Sequence, residues 1–209
     1  MNNKIYYNIY NNMLKRIKNI SQNLNLKKIP PGQFVTDKFP ALTFGKIPTI
    51  NIEKWELKIT GNIKCNLTLR WGDIKKIEMT NTSSPFHCIT QWSRMKNDWE
   101  GIPFKQIYEL AKPNPAAIYV MFHSYGGYST NLDLKTLLDK NVILAHAHDG
   151  LPLSEEHGYP LRLIVPQRYG WKSAKWINKI EFMNDNLPGF WESRGYHMNG
   201  DYWKEERFS

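Results

Sequence analysis

The sequence has no apolar run that approaches the length of a bilayer-crossing segment, so a membrane-spanning helix is excluded. It has only two cysteines, Cys65 and Cys88, which are too few for a four-thiolate zinc site or an iron–sulfur cluster. The polar N-terminus lacks the apolar core of a secretory signal. Together these absences predict a cytoplasmic protein without a structural disulfide.

Negative charge is missing from the N-terminal segment, where no acidic residue precedes Asp37. The formal net charge is +9, but six of the basic residues lie in that segment and leave 22 basic and 19 acidic residues elsewhere. No DNA-reading or RNA-reading motif accompanies this excess of positive charge. The distribution therefore argues against a nucleic-acid partner.

Regular βαβ alternation is also absent. Ile5, Ile9, Met13, Ile17 and Ile20 follow a helical period, so residues 1–29 are predicted to form a basic helical extension. Residues 30–209 are predicted to form one α+β domain with mixed or antiparallel sheets and short helices. Strands are predicted in "WELKITG", "KIEMTNTSS", "AAIYVMF", "NVILAHA", "LRLIVP" and "KWINKIEFM", and helices in "RWGDIKKI", "IPFKQIYELA" and "LDLKTLLDK".

The two cysteines have different surroundings. Cys65 is predicted to be a small buried hydrophobic residue at a strand edge. Cys88, in "SSPFHCITQWS", is predicted to lie on a loop leaving a strand, where side chains are presented to ligands. A packed cysteine is the simplest interpretation of Cys88. A nucleophilic Cys–His pair remains open, with candidate partners His123, His146, His148 and His157.

A second group of polar residues surrounds one apolar strand in "HGYPLRLIVPQRYGWKSAK". His157 is predicted to lie in the preceding loop, where it can approach Arg162. Lys172, Ser173 and Lys175 follow in a glycine-containing turn, where amides, a hydroxyl and ammonium groups can cradle an anion such as phosphate. The residue types alone leave a second interpretation open, in which Arg162 and Lys175 are solvated or ion-paired surface residues.

This segment resembles the one by which molybdoenzymes of the sulfite oxidase family hold molybdopterin. That pattern has His or Asn, Gly, any residue, Pro, Leu or Val, and Arg, followed by Lys thirteen residues after the Arg, as in Arg162 and Lys175. The family also has a lone upstream cysteine on a loop, which "HCITQWS" resembles. The resemblance runs from about Pro30 to the C-terminus, and the ending resembles the stand-alone bacterial and archaeal branch.

The resemblance assigns roles to individual residues. It implies that the Cys88 thiolate binds molybdenum and that Tyr128 donates a hydrogen bond near the reacting oxygen. Ser124 would contact the cofactor, and Phe44 and Gly45 would lie in the loop that covers the pterin. The pterin and its phosphate would be held by His157, Arg162, Ser173, Ala174 and Lys175.

The implied function is that of a molybdopterin-dependent oxidoreductase with molybdenum or tungsten and no haem. It would transfer an oxygen atom to or from an S-oxide, an N-oxide or a sulfur oxyanion and exchange electrons with a separate electron-transfer protein. Leu42, Thr43 and Phe44 replace the Arg-Asn-His stretch of the sulfite-oxidising branch, which weakens the case for sulfite. Arg94 is a candidate to compensate. The periplasmic branch that reduces methionine sulfoxide has Asn where His157 stands.

Two alternatives to this function remain from the sequence. One is a Cys–His hydrolase or transferase. The other is a non-enzymatic domain that binds anions or nucleic acid on the same scaffold. His146 and His148 face one side of a predicted strand, but no third metal ligand accompanies them at a convincing spacing.

Overall fold

The computed structural model describes residues 29–209. Of the predicted helical extension, residues 1–29, all but the last residue lie outside the described residues. The strands are β1 Phe34–Val35, β2 Glu56–Gly61, β3 Leu67–Arg70, β4 Thr80–His87, β5 Trp92–Pro103, β6 Tyr119–Ser124, β7 Ser129–Asp133, β8 Ile143–His148, β9 Leu151–Pro152, β10 Arg162–Ile164 and β11 Ile177–Met183.

Among residues 29–209, three short α-helices accompany the strands: α1 Trp71–Ile74, α2 Phe104–Ala111 and α3 Leu134–Leu137. The same part of the chain contains six 3-10 turns: Ile52–Lys54, Tyr125–Gly127, Glu155–His157, Gly170–Lys172, Glu192–Arg194 and Tyr202–Lys204. Within this part of the chain, no helix combines the length and the apolar character needed to cross a membrane.

The strands form two mixed sheets. The six-stranded sheet has the order β1-β5-β8-β10, with β4 paired to β5 and β9 paired to β8. The five-stranded sheet has the order β3-β2-β11-β6-β7. The pairs β1–β5 and β2–β11 are parallel and the other pairs are antiparallel. The predicted α+β class with mixed sheets is confirmed.

The main hydrophobic core lies between the inner faces of the two sheets and includes one face of α2. Phe104, Ile107 and Ala111 of α2 are buried at helical spacing, and the helix ends at Lys112, which has a left-handed backbone before Pro113. Gly101 of β5 lies against β8 so closely that a Cβ would come within 2.1 Å of the Leu144 carbonyl oxygen. Only glycine fits this crossing of the two strands.

Two smaller apolar clusters lie outside the main core and frame the candidate site. One, on the outer face of the six-stranded sheet, contains Trp99 and Ile164, with Phe39 and Phe86 packed against it. The other contains Tyr169, Trp171 and Tyr202, with Ile89, Trp191 and Tyr196 packed against it. Because Leu163 of β10 faces the main core, its neighbours Arg162 and Ile164 face the outer side, where the first cluster lies.

Most predicted helices and strands are present, but one long strand was missed and one prediction of burial is wrong. The twelve-residue strand β5 and its hairpin with β4 were not predicted, because charged residues interrupt the apolar pattern of β5. The prediction that Cys65 is buried is wrong, because Cys65 lies exposed in the connection between β2 and β3.

Candidate active site

Cys88 lies in the tight turn that joins β4 to β5. Its amide donates a hydrogen bond of 2.9 Å to the Trp92 carbonyl oxygen, and Gln91 closes the turn with a positive φ of 73°. The Cys88 side chain is buried, and the hydroxyl of Thr90 donates a hydrogen bond of 3.1 Å to its sulfur. The sulfur is therefore held at the wall of a cavity, as the predicted loop position required.

That cavity has a volume of about 340 Å³ and lies between the two smaller apolar clusters. One wall is formed by residues 39–44, a loop that the proline-rich sequence keeps free of regular structure. The other lining residues include Phe86, Cys88, Ile89, Thr90, Trp92, Tyr128, His157, Arg162, Gly170, Trp171, Ser173, Ala174, Lys175, Trp176, Trp191 and Tyr196. The structure thus brings Cys88 and the predicted anion-binding residues around Arg162 to one cavity.

Arg162 is a buried cation without an acidic partner. Its Nη1 donates to the His157 carbonyl oxygen at 2.9 Å and its Nη2 donates to the Ser173 carbonyl oxygen at 3.3 Å, while its buried Nε has no partner among the described residues. Burial lowers the pKa of Arg162 to about 9, so the guanidinium stays charged at neutral pH. In the described part of the chain no carboxylate forms an ion pair with it. A buried unpaired cation of this kind favours an anionic ligand.

Lys175 adds a second positive group beside Arg162. Its ammonium donates to the carbonyl oxygens of Leu42 and Glu156 at 3.0 and 2.8 Å and to the Thr43 hydroxyl at 2.7 Å, which fastens residues 39–44 to the cavity. Burial, followed by the charge of Arg162, lowers the pKa of Lys175 to about 7. A bound anion would reverse that effect and keep the ammonium protonated.

Arg162 and Lys175 can lie close together because Gly158, which packs against both segments, has no side chain. A Cβ at Gly158 would lie 3.0 Å from the Cβ of Arg162 and 3.2 Å from that of Lys175, and its φ of +112° also favours glycine. This close approach explains the glycine that follows His157 in the sequence.

His157 lies in the loop before β10, as predicted, and lines the same cavity. Its ring stacks on Phe39 with 4.9 Å between the ring centroids, and its Nε2 donates to the Phe39 carbonyl oxygen at 3.0 Å. Burial, together with the nearby cations, lowers the pKa of His157. A neutral ring with Nε2 protonated leaves Nδ1 to accept from the Ser154 hydroxyl at 2.9 Å.

In the turn after β10, some residues line the cavity and others do not. Ser173 and Ala174 line it, and the Ser173 hydroxyl accepts a hydrogen bond of 3.0 Å from the Val165 amide. The prediction that Lys172 belongs to the anion cradle is wrong. Its fully buried ammonium points away from the cavity, because Glu192 accepts from it at 2.5 Å and Asn131 supplies two more oxygens at 3.0 Å.

Of three other predicted cofactor contacts, one lines the cavity and two do not. Phe44 lines the cavity and packs against Phe190 and Trp191, with ring centroids 4.9 and 5.8 Å apart. Gly45 is exposed beside it and does not line the cavity. Ser124 is buried at the end of β6, opposite Ile177 in the five-stranded sheet, which keeps its side chain out of the cavity wall.

Two tyrosines lie in the cavity wall, one predicted and one missed. The Tyr128 hydroxyl donates to the Trp171 carbonyl oxygen, and burial raises the pKa of Tyr128 well above its usual value. Tyr196 was not predicted, because its position depends on the C-terminal segment folding back over the site. Burial, followed by the proximity of Cys88, raises the pKa of Tyr196, and both residues line the cavity.

Arg94 does not serve as a substitute anion-binding residue. It lies on β5 but outside the cavity wall, where Asp149 accepts from Nη2 at 2.5 Å and Asn97 accepts from Nη1 at 3.0 Å. Its positive charge is already paired, so the expectation that Arg94 compensates for the missing arginine at Leu42 is wrong.

No imidazole contacts the Cys88 sulfur in the described residues, so the structure does not assemble the Cys–His pair that a thiol hydrolase requires. His87, the neighbour in sequence, turns toward Ser93, and burial lowers its pKa to about 4. His146 and His148 lie outside the cavity wall. Within residues 29–209 there is also no group of three or more His, Cys, Asp or Glu side chains able to hold a metal. A metal at Cys88 would therefore need ligands from a non-protein molecule.

The donor set fits molybdopterin. One soft thiolate suits a molybdenum ion whose other sulfur ligands come from the dithiolene of the cofactor. Arg162, with its partnerless Nε, and Lys175 suit a terminal phosphate. Both groups open on one cavity, so a single cofactor can contact them together.

Comparison with known proteins points the same way. Residues 44–191 match the family model described as "Oxidoreductase molybdopterin binding domain". The chain is 42% identical over 183 residues to the "Uncharacterized oxidoreductase YuiH" of Bacillus subtilis, covering 87% of this chain and 92% of that protein. It is 30% identical to the "Protein-methionine-sulfoxide reductase catalytic subunit MsrP" of Campylobacter jejuni, covering 81% of this chain and 62% of that protein.

A solved structure shares the fold. The sulfane dehydrogenase SoxCD from Paracoccus pantotrophus superposes with a TM-score of 0.64 at 18% sequence identity, covering 71% of this chain and 42% of that chain.

Proposed function

The chain belongs to the oxidoreductase molybdopterin binding domain family, of the sulfite oxidase type, and is a molybdenum-dependent oxidoreductase; we propose that its reaction takes place at Cys88. The observation that carries the proposal is the presence, in the wall of one cavity, of a buried thiol and of the buried Arg162 guanidinium, which has no ion-pair partner among the described residues. When bound, molybdopterin supplies a molybdenum centre that can exchange an oxygen atom with a substrate and then exchange two electrons.

The residues of this chain bind and orient that group. Cys88 provides the protein thiolate for the metal, and the hydrogen bond from Thr90 fixes the rotamer of its sulfur. Arg162 and Lys175 neutralise the phosphate, and Lys175 closes residues 39–44 over the cavity through Leu42 and Thr43. Since most of the remaining lining is apolar, the cavity keeps water away from the charged groups.

The cavity favours a neutral substrate. His157, Arg162 and Lys175 are the only lining residues able to carry positive charge in the described chain, and the proposed phosphate uses the last two. On the side of Cys88 the lining includes Ile89 and the stacked rings of Trp191 and Tyr196, whose centroids are 4.9 Å apart. A sulfur oxyanion would lose its hydration there without a compensating cation. A neutral S-oxide or N-oxide fits better, with the Tyr196 hydroxyl available as a hydrogen-bond donor to its oxygen.

A separate protein would exchange the electrons, since a single molybdenum centre needs a redox partner to complete turnover. The Campylobacter relative is named as a catalytic subunit, which supports a separate partner for this chain. The proposal includes a cytoplasmic location and extends to tungsten as the alternative metal.

Elemental analysis combined with a turnover assay tests this function. The chain is purified from a host that makes the cofactor, and molybdenum and tungsten are measured per chain. Reduced viologen is then supplied with dimethyl sulfoxide or trimethylamine N-oxide, and ferricyanide with sulfite. We expect stoichiometric metal and higher kcat/KM for the neutral oxides. Metal-free protein from a host that loads another molybdoenzyme fully would contradict the proposal.

A further inference from the structure

Two side chains from opposite ends of the described chain bind consecutive carbonyl groups in the turn that carries Cys88. The Gln33 amide donates from Nε2 to the Cys88 carbonyl oxygen at 3.1 Å. Arg207 donates from Nη1 to the Ile89 carbonyl oxygen at 2.8 Å. Both residues lie outside the stretch that matches the family model, residues 44–191. We refer to Gln33 and Arg207 together as the clasp.

The amide of Gln33 has a fixed orientation. Its Oε1 accepts from the Ser93 hydroxyl at 3.1 Å, and that hydroxyl lies 2.7 Å from Nδ1 of His87. Because the Ser93 proton is directed to Gln33, His87 must donate from Nδ1 to the Ser93 oxygen. This chain of hydrogen bonds turns the Gln33 amino group toward Cys88. The parallel pairing of β1 with β5 holds Gln33 nearby, with the Phe34 amide 2.8 Å from the Gln91 carbonyl oxygen.

Arg207 is held just as firmly. Its guanidinium lies over the Tyr169 ring, 5.3 Å from the centroid, and its side chain is 13% exposed. The backbone beside it is tied to the loop that carries Tyr196, because the His197 amide donates to the Arg207 carbonyl oxygen at 3.2 Å and Tyr196 bridges to Phe208. The tail therefore joins the turn of Cys88 to the tyrosine in the cavity wall.

The two segments that carry the residues of the clasp also approach each other at Gly32. A Cβ added to Gly32 would lie 3.1 Å from Nη2 of Arg207 and 3.1 Å from Oε1 of Glu205. The N-terminal and C-terminal segments thus meet behind the turn. A turn closed by only a few hydrogen bonds gains rigidity when the carbonyl groups of Cys88 and Ile89 accept side-chain hydrogen bonds from these two segments.

We infer that the clasp is a positioning device that holds the Cys88 sulfur toward the cavity, which rests on the proposed role of Cys88 as the metal ligand. Neither Gln33 nor Arg207 contacts the sulfur, so both act through the backbone of the turn. Outer partners of metal ligands typically change metal affinity about 10-fold to 100-fold when they are removed. The segments outside the family match would therefore be needed for cofactor retention and not only for folding.

The test uses Gln33→Leu and Arg207→Met in the full chain, with Cys65→Ser as background so that Cys88 is the single thiol. Gln106→Leu is the matched control for the amide, because its side chain also donates to a backbone carbonyl, at 3.0 Å, and Arg70→Met, at an exposed arginine, is the control for loss of a guanidinium; neither side chain lines the cavity. Three quantities are measured: molybdenum per folded chain, the thiolate-to-metal absorption band, and the alkylation rate of Cys88 in cofactor-free protein.

We expect each clasp variant to retain molybdenum about 10-fold less tightly, to shift the band, and to change the alkylation rate of Cys88, with both controls matching the parent. Clasp variants that match the controls in all three quantities would overturn the inference, even if their thermal stability were lower. If Gln33→Leu does not fold, Ser93→Ala releases the Gln33 amide with a smaller change and is judged by the same three quantities.

The test separates this inference from the proposed function. A parent chain that never binds molybdenum would contradict the proposed function. The alkylation rate in cofactor-free protein would still show whether the clasp controls the presentation of the Cys88 thiol, and an unchanged rate would refute it.

Discussion

Arg162 donates a hydrogen bond of 2.9 Å to the carbonyl oxygen of His157, and both residues line the cavity, but Arg162 forms no ion pair with a carboxylate among the described residues. Residues of a stable core do not usually bury a cation in this way. The arrangement is explained when the missing negative charge belongs to a ligand. The stability of the cofactor-free protein is then lower than the same fold could achieve.

Arg162→Met tests that explanation. Removing one partner of a buried ion pair costs about 3–5 kcal/mol, but Arg162 has no acidic partner to leave behind. We therefore expect the unfolding free energy of cofactor-free protein to fall by less than about 2 kcal/mol, the net value of its two hydrogen bonds. Cofactor occupancy should fall sharply in the same variant. Urea unfolding of the cofactor-free form and elemental analysis of the loaded form check the two parts. A large loss of stability would mean that the charge is neutralised within the protein.

Lys175 should make anion binding depend on pH. Its pKa of about 7 in the cofactor-free chain means that it loses its proton as pH rises above 7, so affinity for inorganic sulfate, which stays fully ionised, should fall from pH 6.5 to pH 8.5. Binding at the higher pH should take up a proton, which calorimetry in buffers of different ionisation enthalpy detects. Lys175→Met should remove both effects, whereas the half-exposed Lys179→Met should leave them unchanged. Affinity that is flat across this range would exclude Lys175 from the anion site.

The same pKa also predicts a trend in stability. The unfolded chain keeps Lys175 protonated up to its usual pKa near 10.5, while the folded chain releases the proton above about 7. Because the unfolded state binds more protons between those values, this residue makes the cofactor-free protein more stable as pH rises from 7 toward 10. The trend should be weaker in Lys175→Met, as measured by urea unfolding at pH 7 and pH 9.

Glu192 and Lys172 should contribute to the stability of the fold and not to cofactor binding. Glu192 accepts from Lys172, from the Thr130 hydroxyl at 2.8 Å and from the Trp171 indole at 3.2 Å, and both charged side chains are fully buried. Glu192→Gln leaves a buried ammonium without a counter-ion and should cost about 3–5 kcal/mol of unfolding free energy. Adding Lys172→Met to that variant should restore much of the loss. If the double variant is no more stable than the single one, the pair does not act as a unit.

Cys88→Ser should abolish redox turnover and leave the fold intact. The thiol is buried beside a small hydroxyl, so serine fits the space and the thermal transition should move by only a few degrees. Cys65→Ser is the matched control, because that thiol is exposed and lies outside the cavity wall. Turnover is measured with reduced viologen and a neutral S-oxide. Full activity in Cys88→Ser would refute its assignment as the metal ligand.

The sequence allowed the strands and helices with a clear apolar period to be predicted, such as α2, β6 and β11. The resemblance of their motifs to the sulfite oxidase family predicted that Cys88 and the residues around Arg162 carry the chemistry, whereas the residue types alone left a packed cysteine and solvated surface cations open. The direction of Lys172 could not be predicted, since a lysine in a tight turn can point to either side and its partner Glu192 lies twenty residues away. Gln33, Tyr196 and Arg207 lack a local pattern, because their roles arise only when both ends of the described chain meet behind Cys88.

The most direct test of the account is a crystal structure of the chain purified with its cofactor in supply. The account predicts that the metal is bonded to the Cys88 sulfur while the phosphate of the same pterin contacts Arg162 and Lys175. A cofactor bound elsewhere, or one whose metal has no bond to Cys88, would contradict it.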